Sequence, residues 1–207
     1  MRVLLVHGLS RTPLSMLRLA SYLRRAGAQP RLFGYVAAME PFDRIVGRLQ
    51  QQMEQLAEAE YAAVGHSLGG LLLRAAVARL GAGVRLPRHL VMVGTPNQSP
   101  RIARRVQRWF LYRMVCGDAG QLLVSPTRMA GLPVPSVPLT VIAGTRGPTF
   151  RWGLFPGQAN DGLVTVSETR LAAHEEHIEV PARHTFIMNH RQVRQIIRDR
   201  CLLTPVS

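Results

Sequence analysis

An apolar run, Tyr61-Ala62-Ala63-Val64, leads directly into Gly65-His66-Ser67-Leu68-Gly69-Gly70, which opens onto the helical run Leu71–Leu80. A strand that becomes a helix within so few residues leaves little room for the chain packed beside it. Gly65 and Gly69 supply the missing Cβ atoms, and glycine tolerates unusual dihedrals cheaply. The pattern is G-x-S-x-G in a strand-turn-helix context, where a serine Oγ is exposed at the edge of a sheet. The helix begins at the serine, so its first free N–H groups point toward the hydroxyl. The plainer reading is a serine N-cap after a buried strand, with glycines serving only the turn. Partner residues elsewhere in the chain decide between the two.

The rest of the chain repeats the same alternation. Strands are expected near Val3–His7, Arg31–Tyr35, Tyr61–Gly65, His89–Gly94, Leu139–Ala143 and His177–Val180. Helices are expected over Pro13–Ala26, Phe42–Glu58, Leu68–Leu80, Arg101–Val115 and Thr185–Arg200. Alternating strands and helices predict an α/β fold, a parallel sheet covered on both faces. Reactive groups then collect at the carboxyl ends of the strands. His7-Gly8, Ser67, Gly94-Thr95, Gly144 and His184 all fall just after expected strands. We expect a single domain over residues 1–207, with a small helical, cap-like insertion at about 95–137 that closes with Leu132-Pro133-Val134-Pro135-Ser136-Val137-Pro138.

At 207 residues the chain is long enough to bury one substantial core. No apolar run is long enough for a membrane span, and the start Met1-Arg2-Val3-Leu4-Leu5-Val6-His7 turns polar too soon for a signal peptide. With only Cys116 and Cys201, no disulfide framework is expected. A cytoplasmic, bacterial protein is the expectation. The net charge is +14, and all 26 basic residues are arginine. Complete absence of lysine points first to coding bias. The charge would still favour anionic surfaces. No nucleic-acid motif accompanies it, so nucleic acid is not the expected partner. An anionic membrane is the alternative, through Arg101–Met114, where Ile102, Val106, Trp109, Phe110 and Met114 approximate one apolar stripe among arginines.

A nucleophilic serine needs a base, and the base needs an orienting carboxylate. His7 and His66 flank the serine within turns, His89 precedes an internal strand, His174 and His177 lie in an acidic segment, and His190 is expected inside the last helix. His184 follows the last strand on a loop at the correct sheet edge, which makes it the candidate base. Among acids, Asp43 and Asp199 fall in expected surface helices and Asp118 in the excursion. Asp161, in Asn160-Asp161-Gly162, is the candidate acid, with Glu168 as the substitute. A tetrahedral intermediate also needs two N–H donors. Leu68 supplies one at the helix start, and Leu9 in the turn His7-Gly8-Leu9-Ser10 supplies the other.

Taken together, Val6-His7-Gly8-Leu9, Gly65–Gly70, Gly94-Thr95-Pro96-Asn97, Asn160-Asp161-Gly162-Leu163-Val164 and His184-Thr185-Phe186 resemble the motifs of bacterial lipases and esterases of the α/β-hydrolase superfamily. The chain order Ser67, Asp161, His184 is the order of that fold class. The resemblance implies a minimal version of the fold, with a roughly six-stranded parallel sheet and without the two leading strands. It implies a serine carboxyl-ester hydrolase acting on a small-molecule or lipid acyl ester through an acyl-enzyme on Ser67, with no metal or organic cofactor. Thioesterase, phospholipid deacylase or acyltransferase activity would use the same residues. A non-catalytic ligand- or membrane-binding protein on the same fold is the reading of a different class.

Overall fold

The computed structural model of the chain describes residues 1–101, 110–171 and 175–203. Its six strands are β1 (Arg2–Val6), β2 (Gln29–Phe33), β3 (Tyr61–His66), β4 (Leu90–Val93), β5 (Leu139–Gly144) and β6 (Glu176–Val180). They form one sheet in the order β2-β1-β3-β4-β5-β6, with every pairing parallel. Val6 of β1 pairs with Gly65 of β3, so the strands carrying the His7-Gly8 turn and the Ser67 turn end side by side.

The period-two alternation of the strands divides the core into two layers. Leu4, Val6, Ala63, Met92 and Val141 bury on one face, and Val3, Leu5, Val64, Val91 and Ile142 on the other. The central strands are apolar on both sides, as a doubly covered parallel sheet requires. On the first face lie α2 (Phe42–Leu56), which places Ile45, Leu49 and Met53 on one stripe, and α3 (Leu68–Val77). On the second lie α1 (Leu17–Arg25), through Leu19 and Leu23, and the C-terminal helix.

That C-terminal helix departs from expectation. The segment read as one helix over Thr185–Arg200 is a 3₁₀ turn, His184–Asn189, followed by a separate helix Arg191–Leu202. His190 therefore does not lie inside a helix. It is the N-cap, extended at φ −62° and ψ 139°, and its carbonyl accepts the Arg194 N–H. The cause is the tether at the front of the segment. The His184 N–H donates to the Asp161 carbonyl at 3.0 Å, which ties the first turn to the Asp161 loop instead of to the helix that follows.

Between β4 and β5 the described residues carry α4 (Phe110–Val124) and α5 (Pro126–Ala130). Most of the helix expected over Arg101–Val115 lies outside the described residues. The described part continues past Val115 and breaks at Gly117, φ 53° and ψ −151°. A side chain there would run into the carbonyl of Ala37, so the break needs glycine. Helix α5 was not anticipated, although its signal is present: Ser125 accepts from the Arg128 N–H, and Pro126 takes the first helical position. A last short helix, α6 (Val166–Thr169), precedes β6, and we number the C-terminal helix Arg191–Leu202 as α7. Cys201 is buried in α7, where burial pushes its thiol up to about 12, so it behaves as a core residue. No helix among the described residues is long and apolar enough to cross a membrane.

Helix α3 is buried on all sides, Arg74 included. The Arg74 guanidinium donates to the carbonyls of Pro133 (3.1 Å) and Leu132 (2.8 Å) and to Asn97 Oδ1 (3.0 Å). Burial pushes its pKa down to about 10, which still leaves it charged at neutral pH. It clamps the proline-rich return and the Asn97 loop onto the helix that follows Ser67. Arg74→Met keeps the volume but strands three acceptors, so it should destabilise the fold by about 3 kcal/mol. Thermal unfolding should show this as a loss of about 6–12 °C in Tm.

Candidate active site

β3 delivers the chain to Ser67 at full burial, and α3 starts one residue later. Between them Ser67 sits at φ 53°, ψ −121°. A positive φ in a residue with a Cβ is costly and persists only where the surroundings impose it. The imposition is steric. A Cβ on Gly65 would strike the backbone of Gly69 and Gly70, and one on Gly69 would strike the carbonyls of Val6 and His7. The glycines let β1, β3 and α3 close on one another, and the serine takes up the strain. Ser10, in the turn after β1, is the other non-glycine residue with positive φ among those described, at 53°. Gly8 of that turn lies against Ser67 itself, since a Cβ there would stand 3.1 Å from the Ser67 Cβ.

Ser67, His184 and Asp161 come from three segments and form one hydrogen-bonded line. His184 Nδ1 lies 2.6 Å from Asp161 Oδ2, and its Nε2 lies 3.0 Å from Ser67 Oγ. An ionised carboxylate can only accept, so Nδ1 is the donor. In the neutral imidazole, Nε2 then accepts from the serine hydroxyl. Asp161 is held in turn: its Oδ1 accepts the N–H groups of Leu163 (2.9 Å) and Val164 (2.8 Å). Both Asp161 and His184 are buried. Gly94, at φ 58°, passes against this pair. A Cβ there would lie 3.3 Å from His184 Nδ1 and 3.4 Å from Asp161 Oδ2.

The other histidines have different work. His66 Nε2 donates to the His184 carbonyl at 3.1 Å, and its ring centroid is 5.0 Å from that of His184. Burial holds its pKa well below 6.5, helped by the neighbouring His184. His7 donates from Nδ1 to the Gly8 carbonyl (2.9 Å) and stacks on Tyr35 at 4.2 Å; burial lowers its pKa too. His89 and His177 bond Thr140 and Thr169 away from Ser67. His174 lies outside the described residues. Glu168, the substitute acid, does not reach His184. It forms a capping box with Thr165 and accepts the Arg101 N–H at 2.8 Å.

The line opens into a cleft of about 720 Å³. Leu9, Leu163 and Val164 line it, and the segment between β4 and β5 adds Pro96, Pro100 and Leu123. Arg11 also faces it, with Nη1 donating to the Thr185 carbonyl at 2.9 Å. Leu68 is the first residue of α3, where a helix has N–H groups without intrahelical partners. Among the described residues, no group of three or more His, Cys, Asp or Glu side chains could hold a metal ion.

No family model matches the chain, and no curated protein matches it in sequence. Solved structures do match in shape. The chain superimposes on the propeptide form of the lipase BlEst2 from Bacillus licheniformis with a TM-score of 0.74 at 16% identity, covering 96% of this chain and 49% of that one. The chain thus spans about half the length of that lipase. A thioesterase of prodiginine biosynthesis from Streptomyces coelicolor, RedJ, matches with a TM-score of 0.62 at 16% identity, covering 95% of this chain and 87% of that one. Phospholipase PlaB from Legionella pneumophila matches with a TM-score of 0.63 at 18% identity, over 82% of this chain and 44% of that one. The chain has the α/β-hydrolase fold. Within that fold the parallel sheet places Ser67, Asp161 and His184 at the carboxyl edge, where such sheets bind ligands.

Several residues that the sequence motifs do not mark position this site. The Tyr35 hydroxyl donates to the His7 carbonyl at 2.9 Å and anchors the turn carrying Leu9. Asn160 looked like a turn residue only. It accepts the Gly162 N–H (2.9 Å) and donates to the carbonyls of Gln158 (2.8 Å) and Pro148 (3.0 Å), so it shapes the loop that presents Asp161. The Asn160-Asp161-Gly162 triplet carried that signal, because both side chains can bond the backbone two residues on.

The buried neutral imidazoles have a consequence for stability. Below pH 6.5, the ordinary value for histidine, the unfolded chain takes up protons that folded His66 and His7 refuse. Their contribution is therefore complete above pH 6.5 and is lost as the pH falls toward the lowered folded values. A buried imidazole such as His66 costs up to about 1.4 kcal/mol per pH unit in that window. Asp118 and Glu176, lowered by Arg128 and Arg200, lose stability only at more acid pH. Thermal melts should be nearly flat above neutrality and fall from about pH 6.5 to 5, less steeply in His66→Gln. A wild-type Tm unchanged across that interval would contradict the assignment.

Proposed function

We propose that the chain is a serine hydrolase of acyl esters, working through an acyl-enzyme on Ser67. The observation that carries this reading is the unbroken line from Ser67 Oγ through His184 to Asp161, with the serine in a strained turn at the wall of an apolar cleft. A serine hydroxyl becomes a useful nucleophile only when a base takes its proton as it attacks. His184 Nε2 is placed to do so, and Asp161 stabilises the imidazolium that forms. The ester carbonyl becomes a tetrahedral oxyanion, held by the N–H groups of Leu68 and Leu9. His184 then protonates the departing alcohol, leaving the acyl group on Ser67. Water enters, gives a proton to His184 and attacks the acyl carbon; as the Ser67 Oγ–acyl bond breaks, His184 returns that proton to Oγ, which frees the acid and restores both residues. Every step is a proton or acyl transfer among groups of this chain, its substrate and one water.

The substrate class follows from the cleft. Its apolar lining by Leu9, Leu123, Leu163 and Val164 suits an acyl chain. In this reading of a single domain, Pro96, Pro100 and Leu123, described residues of the insertion, act as a cap-like wall on one side of the cleft. A lipid or small-molecule acyl ester is the reading; the lipase, thioesterase and phospholipase named above share its fold and so support acyl transfer as the chemistry.

The test is turnover of p-nitrophenyl esters of graded chain length together with fluorophosphonate labelling. Ser67→Ala should abolish labelling and lower turnover by about 10⁴-fold or more while leaving the fold intact. A folded Ser67→Ala protein with wild-type turnover would overturn the proposal. His184→Ala should be about as damaging, and the Ser67→Ala/His184→Ala pair little worse than either alone, because the residues act as a unit. Asp161→Asn should be severe and Glu168→Gln mild in turnover; the reverse order would move the acid to Glu168.

A further inference from the structure

The loop leaving β5 holds a patch that the proposed chemistry does not use. It starts from the same sheet edge as Ser67 and runs into Asn160-Asp161. It is tied shut: Gly147 N–H donates to the Asn160 carbonyl (2.6 Å), Gly157 N–H to the Thr149 carbonyl (3.1 Å) and Gly153 N–H to the Phe150 carbonyl (2.9 Å). Phe155 is buried beneath it. This braced loop turns Phe150, Trp152 and Leu154 outward, with 61%, 88% and 42% of their surface exposed. Three large apolar side chains held out within five residues contradict simple folding economy, and such patches mark contact with something apolar.

The charges around the patch identify the partner. Arg151 lies over the Trp152 ring at 5.7 Å, and Arg146 is exposed on the same loop. From residue 145 to residue 160 there is no carboxylate. Across the same edge, next to His184, Phe186 is 65% exposed with Arg11 over its ring at 5.7 Å. Tryptophan and phenylalanine favour the boundary between headgroups and acyl chains, and arginine favours lipid phosphates. A second copy of this chain is a poor partner, because each copy carries +14.

We propose that the loop of Phe150, Trp152 and Leu154 docks the protein on an anionic phospholipid surface, with the mouth of the cleft facing the bilayer. The apolar side chains enter the interfacial layer, and Arg146 and Arg151 lie against the phosphates. This goes beyond the hydrolase reading and does not rest on it.

The test is co-sedimentation of the full chain with phosphatidylcholine vesicles, with and without phosphatidylglycerol. Ser67→Ala protein serves for this measurement, so that binding is read apart from turnover. Binding should favour the anionic vesicles and fall with salt, as exposed charges are screened over about 8 Å at physiological ionic strength. Phe150→Ser/Trp152→Ser/Leu154→Ser should weaken binding about tenfold or more. In the otherwise wild-type chain the same triple variant should leave the turnover of a soluble short ester unchanged. Arg146→Gln/Arg151→Gln should reduce the anionic preference while leaving some binding. Should the triple variant fail to fold, Trp152→Ala and quenching of Trp152 by brominated lipid in a Trp109→Phe background read the same contact. Binding unaffected by these variants, equal binding to both vesicle types, or no quenching of Trp152 would overturn the proposal. So would a wild-type dimer in light scattering that the patch variants dissociate, which would make the loop a protein interface.

Discussion

The near-contact of three backbone segments around Ser67 governs this molecule. The ends of β1 and β3 lie in register, and the first turn of α3 presses onto both. With no side chain at Gly65 the backbone of Gly69 and Gly70 sits where its Cβ would be, and at Gly69 the carbonyls of Val6 and His7 do. Ser67 has nowhere to go but φ 53°. Conformational strain of this kind costs of order 1–3 kcal/mol. The burial of α3 on all sides offsets it, and that burial explains why the helix is apolar on every side apart from Arg74, whose three guanidinium nitrogens all donate. The same compression brings the His7-Gly8-Leu9 turn against the serine. One steric constraint therefore sets both the strained turn at Ser67 and the approach of the turn after β1 to it.

A second layer is polar and buried. It runs from Asp161 through the Asn160–Thr169 loop to Glu168, which accepts the backbone N–H groups of Thr165 and Arg101. The Glu168 carbonyl accepts the Asn97 N–H, and the Asn97 side chain bridges Arg74 and the Thr169 carbonyl. Arg74 completes the path by binding Leu132 and Pro133. The acid loop and the wall of the cleft are thus parts of one hydrogen-bonded frame. Inside a low-dielectric interior such a frame is stiff only while every member is satisfied. The arrangement accounts for the position of Glu168 close in sequence to Asp161 yet in a different role.

The fold and the meeting of the three site residues were legible because both follow from local patterns. Apolar runs of four to six residues between amphipathic segments forced a parallel sheet, and its carboxyl edge then selected His184 over histidines in turns or acidic stretches. What escaped was set by tertiary contacts. His190 caps a helix instead of lying in one because His184 is tethered to Asp161, a constraint that helical periodicity cannot carry. Arg74 sits in a run of leucines and alanines where no local pattern marks an arginine for burial, yet it is buried by a loop some sixty residues away. Tyr35 reads as the end of a strand, and its hydroxyl partner lies on the turn after β1. Helix α5 is signalled by Ser125-Pro126, but at five residues it is too short for hydrophobic periodicity to show.

The surface charge follows from how the carboxylates are used. There are twelve acidic residues against 26 arginines. Asp161 and Glu168 are buried in the site and its supporting loop. Glu40, Asp118 and Glu176 are held below the ordinary carboxylate range by Arg48, Arg128 and Arg200, and in the latter two these hydrogen bonds are the largest influence. Asp43 and Asp199 lie against Arg79 and Arg198. Surface pairs of this sort add little stability each. Their larger effect is to cancel acid locally, so that arginines such as those on the β5 loop face solvent with no carboxylate beside them in the chain. A positive field of this kind raises the encounter rate with anionic surfaces and weakens as salt is added. Its strength depends on the imbalance of the whole chain, twelve acids against 26 arginines, two of those acids being buried at the site and its supporting loop.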